Sequence, residues 1–176
     1  MRNPETFIGS DSAESRTRNS LVSPPKLPNY RDTCLPVSLI LGYFHQGHLR
    51  FLYTRKEDWK EHSNNFKKLN LLLKNSENTR GIAFLTKCFL NLCTDLDLPF
   101  AGPYPMVSTV EKICQYFGCA CRIVNREDLS IVLKYPGNVS IERPEVVLLL
   151  SKGEEDRKER FHVDLVTNPT LYFKVS

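Results

Sequence analysis

Residues 35–47, LPVSLILGYFHQG, form the most apolar stretch of the chain that is long enough for a helix. The sequence predicts a buried helix here, with Pro36 in its first turn and Gly42 or Gly47 marking its end. Cys34 then stands at the helix N-terminus. Unpaired backbone N–H groups and the helix dipole stabilise an anion at that position, so it suits a nucleophilic thiolate.

The rest of the chain predicts helices first and a sheet afterwards, which is the α+β class. Apolar residues at helical spacing predict further helices over residues 56–74, 79–96 and 107–117, with a Pro- and Gly-rich loop, PFAGPYPM, before the last. Strand patterns follow over residues 119–124, 131–141 (a hairpin turning at Tyr-Pro-Gly-Asn), 146–150 (a central strand), 161–166 and 171–175. The charged segment KGEEDRKER predicts a solvated loop between neighbouring strands.

Length and composition indicate one folded domain with an N-terminal arm. The 176 residues are enough for a single domain with a core of its own. Residues 1–28 are rich in Ser, Asn, Arg and Pro and show no sustained apolar periodicity, so we expect a flexible arm there. The folded domain is expected to span residues 29–176.

Charge and hydropathy argue against nucleic-acid and membrane partners. The 24 basic and 20 acidic residues are interspersed along the chain, which is not the clustered charge of a nucleic-acid-binding surface. Apolar runs such as Val146–Leu150 are far shorter than the roughly 20 residues that a spanning helix needs. The N-terminus has no apolar stretch typical of a signal peptide, so we expect a cytoplasmic or nuclear protein.

Six cysteines in such a chain are expected to be free thiols, because reducing compartments disfavour disulfides. Zinc is the alternative interpretation. The spacings Cys88-x4-Cys93 and Cys114-x4-Cys119-x-Cys121 lack the C-x2-C pairs of common structural sites, and no His-x3–5-His pair accompanies them. We therefore expect no metal and no cofactor.

A thiol nucleophile needs a base, and His162 is the best placed of the four histidines. In the predicted strand 161–166, alternation puts His162 and Asp164 on one face, so the carboxylate can orient the imidazole. Asn168, just beyond the strand, is an alternative orienter. The other histidines, at 45, 48 and 62, are expected at the surface. The same pattern is also compatible with a structural cysteine and a solvent-facing histidine.

The arrangement resembles the ovarian-tumour (OTU) family of cysteine proteases and deubiquitinases. Asp32-Thr33-Cys34-Leu35 opening a helix is similar to the family's nucleophile segment, and residues 146–150, a charged loop and Phe161-His162-Val163-Asp164 resemble its final strands. Residues 110–124 are similar to its helix-to-strand step. The resemblance covers about residues 29–168 and extends to OTU-like domains in polyproteins of viruses and virus-like transposons.

This resemblance implies a papain-like fold and a thiol protease or isopeptidase. Cys34 would be the nucleophile, His162 the general base and Asp164 the orienter, with the backbone of Asp32 and Thr33 as the oxyanion loop. The implied substrates are ubiquitin or ubiquitin-like conjugates, or a polyprotein junction. Family members usually carry Asp-Gly-x-Cys, whereas this chain has no glycine there and its acid lies one position closer to the cysteine. The alternative is therefore an inactive OTU-like module with a protein-binding or polymerase-associated structural role.

Overall fold

A computed structural model describes residues 20–46, 59–75, 77–137, 143–155 and 158–175. The described chain contains five helices: α1 Cys34–His45, α2 Trp59–Lys74, α3 Thr79–Leu96, α4 Met106–Phe117 and α5 Pro169–Val175. It also contains five strands: β1 Leu21–Val22, β2 Ala120–Asn125, β3 Ile131–Tyr135, β4 Glu145–Glu155 and β5 Lys158–Val166. Helices and one sheet combine in agreement with the predicted α+β class. No helix of these ranges is long and apolar enough to cross a bilayer.

The five strands form one mixed sheet in the order β1-β5-β4-β2-β3. Strands β2 and β4 run parallel, and the other three pairings are antiparallel. Strand β4 is central, as predicted, and its residues 146–150 are buried. A strand flanked and covered on both faces needs a continuous apolar run, which this segment supplies.

Helix α1 packs against the sheet and is buried along nearly its whole length. A Cβ atom on Gly42 would overlap the side chain of Val146, so this glycine allows the helix to approach the strands closely. The main core lies between this sheet face and the helices, and includes Leu148 and Leu165. A smaller cluster on the other face joins β4 and β5 to Tyr172 of α5.

The helix predictions are confirmed with small changes at their ends. Helix α3 has the predicted bounds, and Asn78 caps it by accepting a hydrogen bond from the N–H of Gly81. In α2 the described part of the buried stripe includes Leu69 and Leu72, and Leu73 is partly buried. Residues 56–58 of the predicted second helix lie outside the described residues.

Three predictions about the chain after residue 130 need correction or lie partly outside the described residues. The prediction of a loop in the charged segment is wrong, because β4 and β5 continue through most of it. Residues Ser151 to Glu155 of β4 pair there with residues of β5. The predicted strand over residues 171–175 is instead helix α5, since Asn168 caps it and Pro169 suits a first helical position. Strand β3 pairs with β2, and residues 138–142 of the predicted hairpin lie outside the described residues.

The predicted flexible arm over residues 1–28 is wrong for its last nine residues. Leu21 and Val22 form β1, which pairs with Val166 and Leu165 of β5. Leu27 is buried in the main core at 3% exposure. These few apolar side chains have their partners in distant segments of the chain, so local composition does not reveal their structure. Residues 1–19 lie outside the described residues.

Candidate active site

Cys34 is the first residue of α1 and is half-buried at the edge of the main core. The first N–H groups of a helix have no acceptor within the helix. The side chain of Thr33 makes no capping hydrogen bond, and Pro36 has no N–H. The N–H groups of Cys34 and Leu35 are thus the natural donors to a negatively charged oxygen formed beside the thiol.

His162 and Asp164 occupy one face of β5, as strand alternation predicts. Their neighbours Val163 and Leu165 point into the main core beside α1. The Nε2 atom of His162 lies 2.7 Å from Oδ1 of Asp164. Asp164 is 8% exposed, and its carboxylate can only accept hydrogen bonds, so Nε2 carries the proton and donates it.

The thiol of Cys34 lies close enough to the imidazole of His162 to act on its pKa. Because Nε2 is engaged by Asp164, Nδ1 is the ring nitrogen that remains for the thiol. The hydroxyl of Ser38, one helical turn after Cys34, donates a hydrogen bond of 3.4 Å to the carbonyl of Val163. This bond connects α1 to β5 beside the histidine, and it helps to fix the distance between nucleophile and base.

The electrostatics of the site favour a charged His162–Asp164 pair. The hydrogen bond to Asp164, followed by the contact with Cys34, raises the pKa of His162 to about 10 although partial burial opposes the change. Burial acts to raise the pKa of Asp164, but hydrogen bonds from His162 and Ser23 and the charges of His162 and Arg126 outweigh it and hold this pKa below its usual value. The Arg126 guanidinium lies 3.9 Å from Oδ2 of Asp164.

Asn168, the alternative orienter, has a different role in the structure. Its Oδ1 accepts a hydrogen bond of 3.0 Å from the N–H of Leu171, and its carbonyl accepts one from the N–H of Tyr172. It therefore caps α5. Of the two candidate orienters, the structure places Asp164 against the imidazole.

The predicted oxyanion loop lies immediately before α1. Thr33 is buried, and Asp32 has a left-handed backbone with φ of 53°, a region that Asp tolerates better than most residues. Gly102 packs over this loop: its N–H donates to the carbonyl of Arg31 at 2.9 Å, and a Cβ there would overlap the carbonyl oxygen of Asp32. The loop before α4 thus supports the nucleophile segment from outside.

The remaining cysteines lie in apolar surroundings. Burial raises the pKa of the Cys88 thiol to about 12 and that of Cys93 to about 11, which keeps both protonated and unreactive. Three more thiols, at 114, 119 and 121, are buried. In the part of the chain that the structure describes, no group of three or more His, Cys, Asp or Glu side chains is arranged to hold a metal ion.

The sequence did not identify three residues that contact the site. Ser23 and Arg126 both contact the His162–Asp164 pair, and Gly102 supports the loop before Cys34. Ser23 and Arg126 approach from distant parts of the chain and carry no local signal. Gly102 lies in the segment PFAGPYPM, whose Pro and Gly content predicts a turn and indicates no contact with Cys34.

The other predicted surface histidines can be placed in part. His45 is exposed at the end of α1, and its Nε2–H donates to the carbonyl of Thr167 at 3.1 Å. His48 and the side chain of His62 lie outside the described residues.

Neither a family model, nor a curated protein, nor a solved structure matches this chain. Its chemistry must be inferred from its own residues.

Proposed function

We propose that this chain is a cysteine protease or isopeptidase that uses a Cys34–His162–Asp164 triad. The observation that carries the proposal is the imidazole of His162, which donates a hydrogen bond of 2.7 Å to Asp164 and lies close enough to the Cys34 thiol for that group to raise its pKa. A thiol at a helix N-terminus, a base and an oriented carboxylate are the groups that acyl transfer requires. The helix-before-sheet arrangement is compatible with the papain-like, OTU-like fold that the sequence resembles.

The proposed reaction begins when the sulfur of Cys34, as the thiolate beside the charged imidazole of His162, attacks the substrate carbonyl carbon. The N–H groups of Cys34 and Leu35 hold the resulting oxyanion. His162 then gives its proton to the leaving amine, and a thioester remains on Cys34. Finally His162 takes a proton from water, the hydroxide attacks the thioester carbonyl, and the carboxylic acid leaves while the thiolate is restored.

The substrate class is proposed from the OTU resemblance of residues 29–168. It consists of ubiquitin or ubiquitin-like conjugates, whose isopeptide bonds link a C-terminal carboxyl to a lysine amine, or of a polyprotein junction. These substrates occur in the cytoplasm and nucleus, where the activity is expected. Neither nucleic acid nor a membrane is proposed as a partner.

The test is a ubiquitin probe with a C-terminal electrophile. We expect one covalent adduct, mapped by mass spectrometry to Cys34, and its loss in Cys34→Ala. Cys88→Ala is the matched control, since Cys88 is also half-buried but has a raised pKa and should not affect labelling. A protein that binds ubiquitin and leaves Cys34 unmodified would instead be the inactive binding module. In that case a peptide library would decide between this module and a protease of another specificity.

A further inference from the structure

Ser23 reaches the candidate site because of the register of β1 on β5. Leu21 pairs with Val166 and Val22 with Leu165, so the next residue, Ser23, lies opposite Asp164. Directly opposed residues on antiparallel strands place their side chains on the same face, about 5 Å apart. Leu21 packs against the smaller apolar cluster and Val22 against the main one. This alternation fixes the register, because a shift by one residue would exchange the two faces.

The hydroxyl of Ser23 contacts both members of the charged pair. Its Oγ is 3.3 Å from Nε2 of His162, and from its place opposite Asp164 in the strand register it acts to lower the pKa of that carboxylate. Nε2 carries one proton, and the shorter distance of 2.7 Å indicates that this N–H donates its hydrogen bond to Asp164. The hydroxyl proton of Ser23 is therefore the one donated to the carboxylate, since the carboxylate has no proton to give.

The sequence after Ser23 ends the strand at this point. Pro24 and Pro25 lack backbone N–H groups and cannot extend the ladder. Strand β1 consequently pairs with Leu165 and Val166 only, and β5 has no pairing from β1 at His162. The N-terminal segment thus brings a hydroxyl to Asp164 without covering the edge where the histidine meets Cys34.

We propose that Ser23 is a positioning residue that holds the Asp164 carboxylate in place to receive the Nε2–H of His162. Arg126 is the other group beside this carboxylate, but its guanidinium is 3.9 Å away and half exposed, so it supplies charge and little orientation. The catalytic consequence rests on the proposed protease function, whereas the effect on Asp164 does not. Residues 20–28 are then part of the site as well as of the fold.

The experiment compares Ser23→Ala, Ser23→Thr and Lys26→Ala in the full chain. Lys26 is an exposed side chain of the same segment and serves as the control. The pKa of the Asp164 carboxyl is followed by carbon-detected NMR, and kcat and KM are measured with a fluorogenic ubiquitin C-terminal amide. Ser23→Ala should raise the pKa of Asp164 and lower kcat about three- to tenfold with little change in KM. Ser23→Thr should restore both, and Lys26→Ala should resemble the wild type.

The two readouts separate the inference from the proposed function. If the wild type has no activity, the protease proposal fails, and the Asp164 titration still decides the role of Ser23. A pKa of Asp164 that is the same in Ser23→Ala and wild type overturns the inference whether or not activity changes. A decrease in activity that Ser23→Thr does not restore also overturns it, because that result would indicate general disruption of the segment.

Discussion

Removal of the Asp164 carboxylate should reduce catalysis far more than folding. The bond that Asp164→Ala deletes is 2.7 Å long and charge-assisted, and the carboxylate that accepts it is buried although the imidazole is about half exposed. A net value of about 1.5–3 kcal/mol for such a bond corresponds to about a ten- to a hundredfold loss in kcat/KM. Asp164 also fixes the tautomer of the imidazole, and the loss of this control can increase the decrease in kcat/KM to about a thousandfold. Hydrolysis of a fluorogenic ubiquitin C-terminal amide measures this directly.

Asn168→Ala is the matched control for this prediction, because the two side chains are four residues apart and have different roles. Loss of its cap on α5 should cost about 0.5–2 kcal/mol of unfolding free energy, measured in urea, with kcat/KM within about threefold of the wild type. If Asn168→Ala damages kcat/KM more than Asp164→Ala does, Asp164 is not the orienter and the triad is assigned wrongly.

Three further predictions concern stability and the nucleophile loop. Since the pKa of His162 is raised from 6.5 to about 10, the stabilisation of the folded protein by the charged His162 should be complete below about pH 6.5 and lost as pH rises towards 10. Over that interval the difference in unfolding free energy between wild type and His162→Gln, measured in urea, should decrease by up to about 1 kcal/mol. A difference that stays constant with pH would refute this prediction. A chain starting at Asn29 should be at least about 3 kcal/mol less stable than one starting at Ser20, because β1 and the buried Leu27 are removed; equal urea midpoints would contradict it. Gly102→Ala should cost about 1–3 kcal/mol and slow probe labelling, whereas Gly137→Ala, with open space around its Cβ, should do neither; equal labelling rates would exclude a supporting role for Gly102.

The local patterns of the sequence predicted much of the helical part and the central pair of the site. Periodicity of 3.6 residues is a property of the segment itself, and it located α3 at its observed bounds. Alternation in residues 161–166 likewise placed His162 and Asp164 on one face. The pairing of Cys34 with His162 spans more than a hundred residues, and the sequence suggested it through the need of a nucleophilic thiol for a base and through the resemblance to a known layout.

The errors arise where structure depends on distant partners or on competing local signals. Strand β1 has two residues, and only the exposed edge of β5 makes it a strand, so neither β1 nor Ser23 could be found locally. In residues 168–175 two local signals compete, since Asn168 and Pro169 favour the start of a helix whereas the composition of Leu171–Val175 favours a strand. The charged residues after Leu150 favour a loop by composition, but paired strands can also carry charges on their solvent-facing sides.

The most direct test of the central claim is the rate at which Cys34 reacts with iodoacetamide in the native protein. Mass spectrometry at neutral pH can follow all six cysteines together in the wild type and in His162→Gln. If His162 activates Cys34, this thiol should be modified first, and His162→Gln should slow it by at least about tenfold while the slow reaction of Cys88 is unchanged. A Cys34 rate that is the same in both proteins, or slower than that of Cys88, would contradict the proposed catalytic pair.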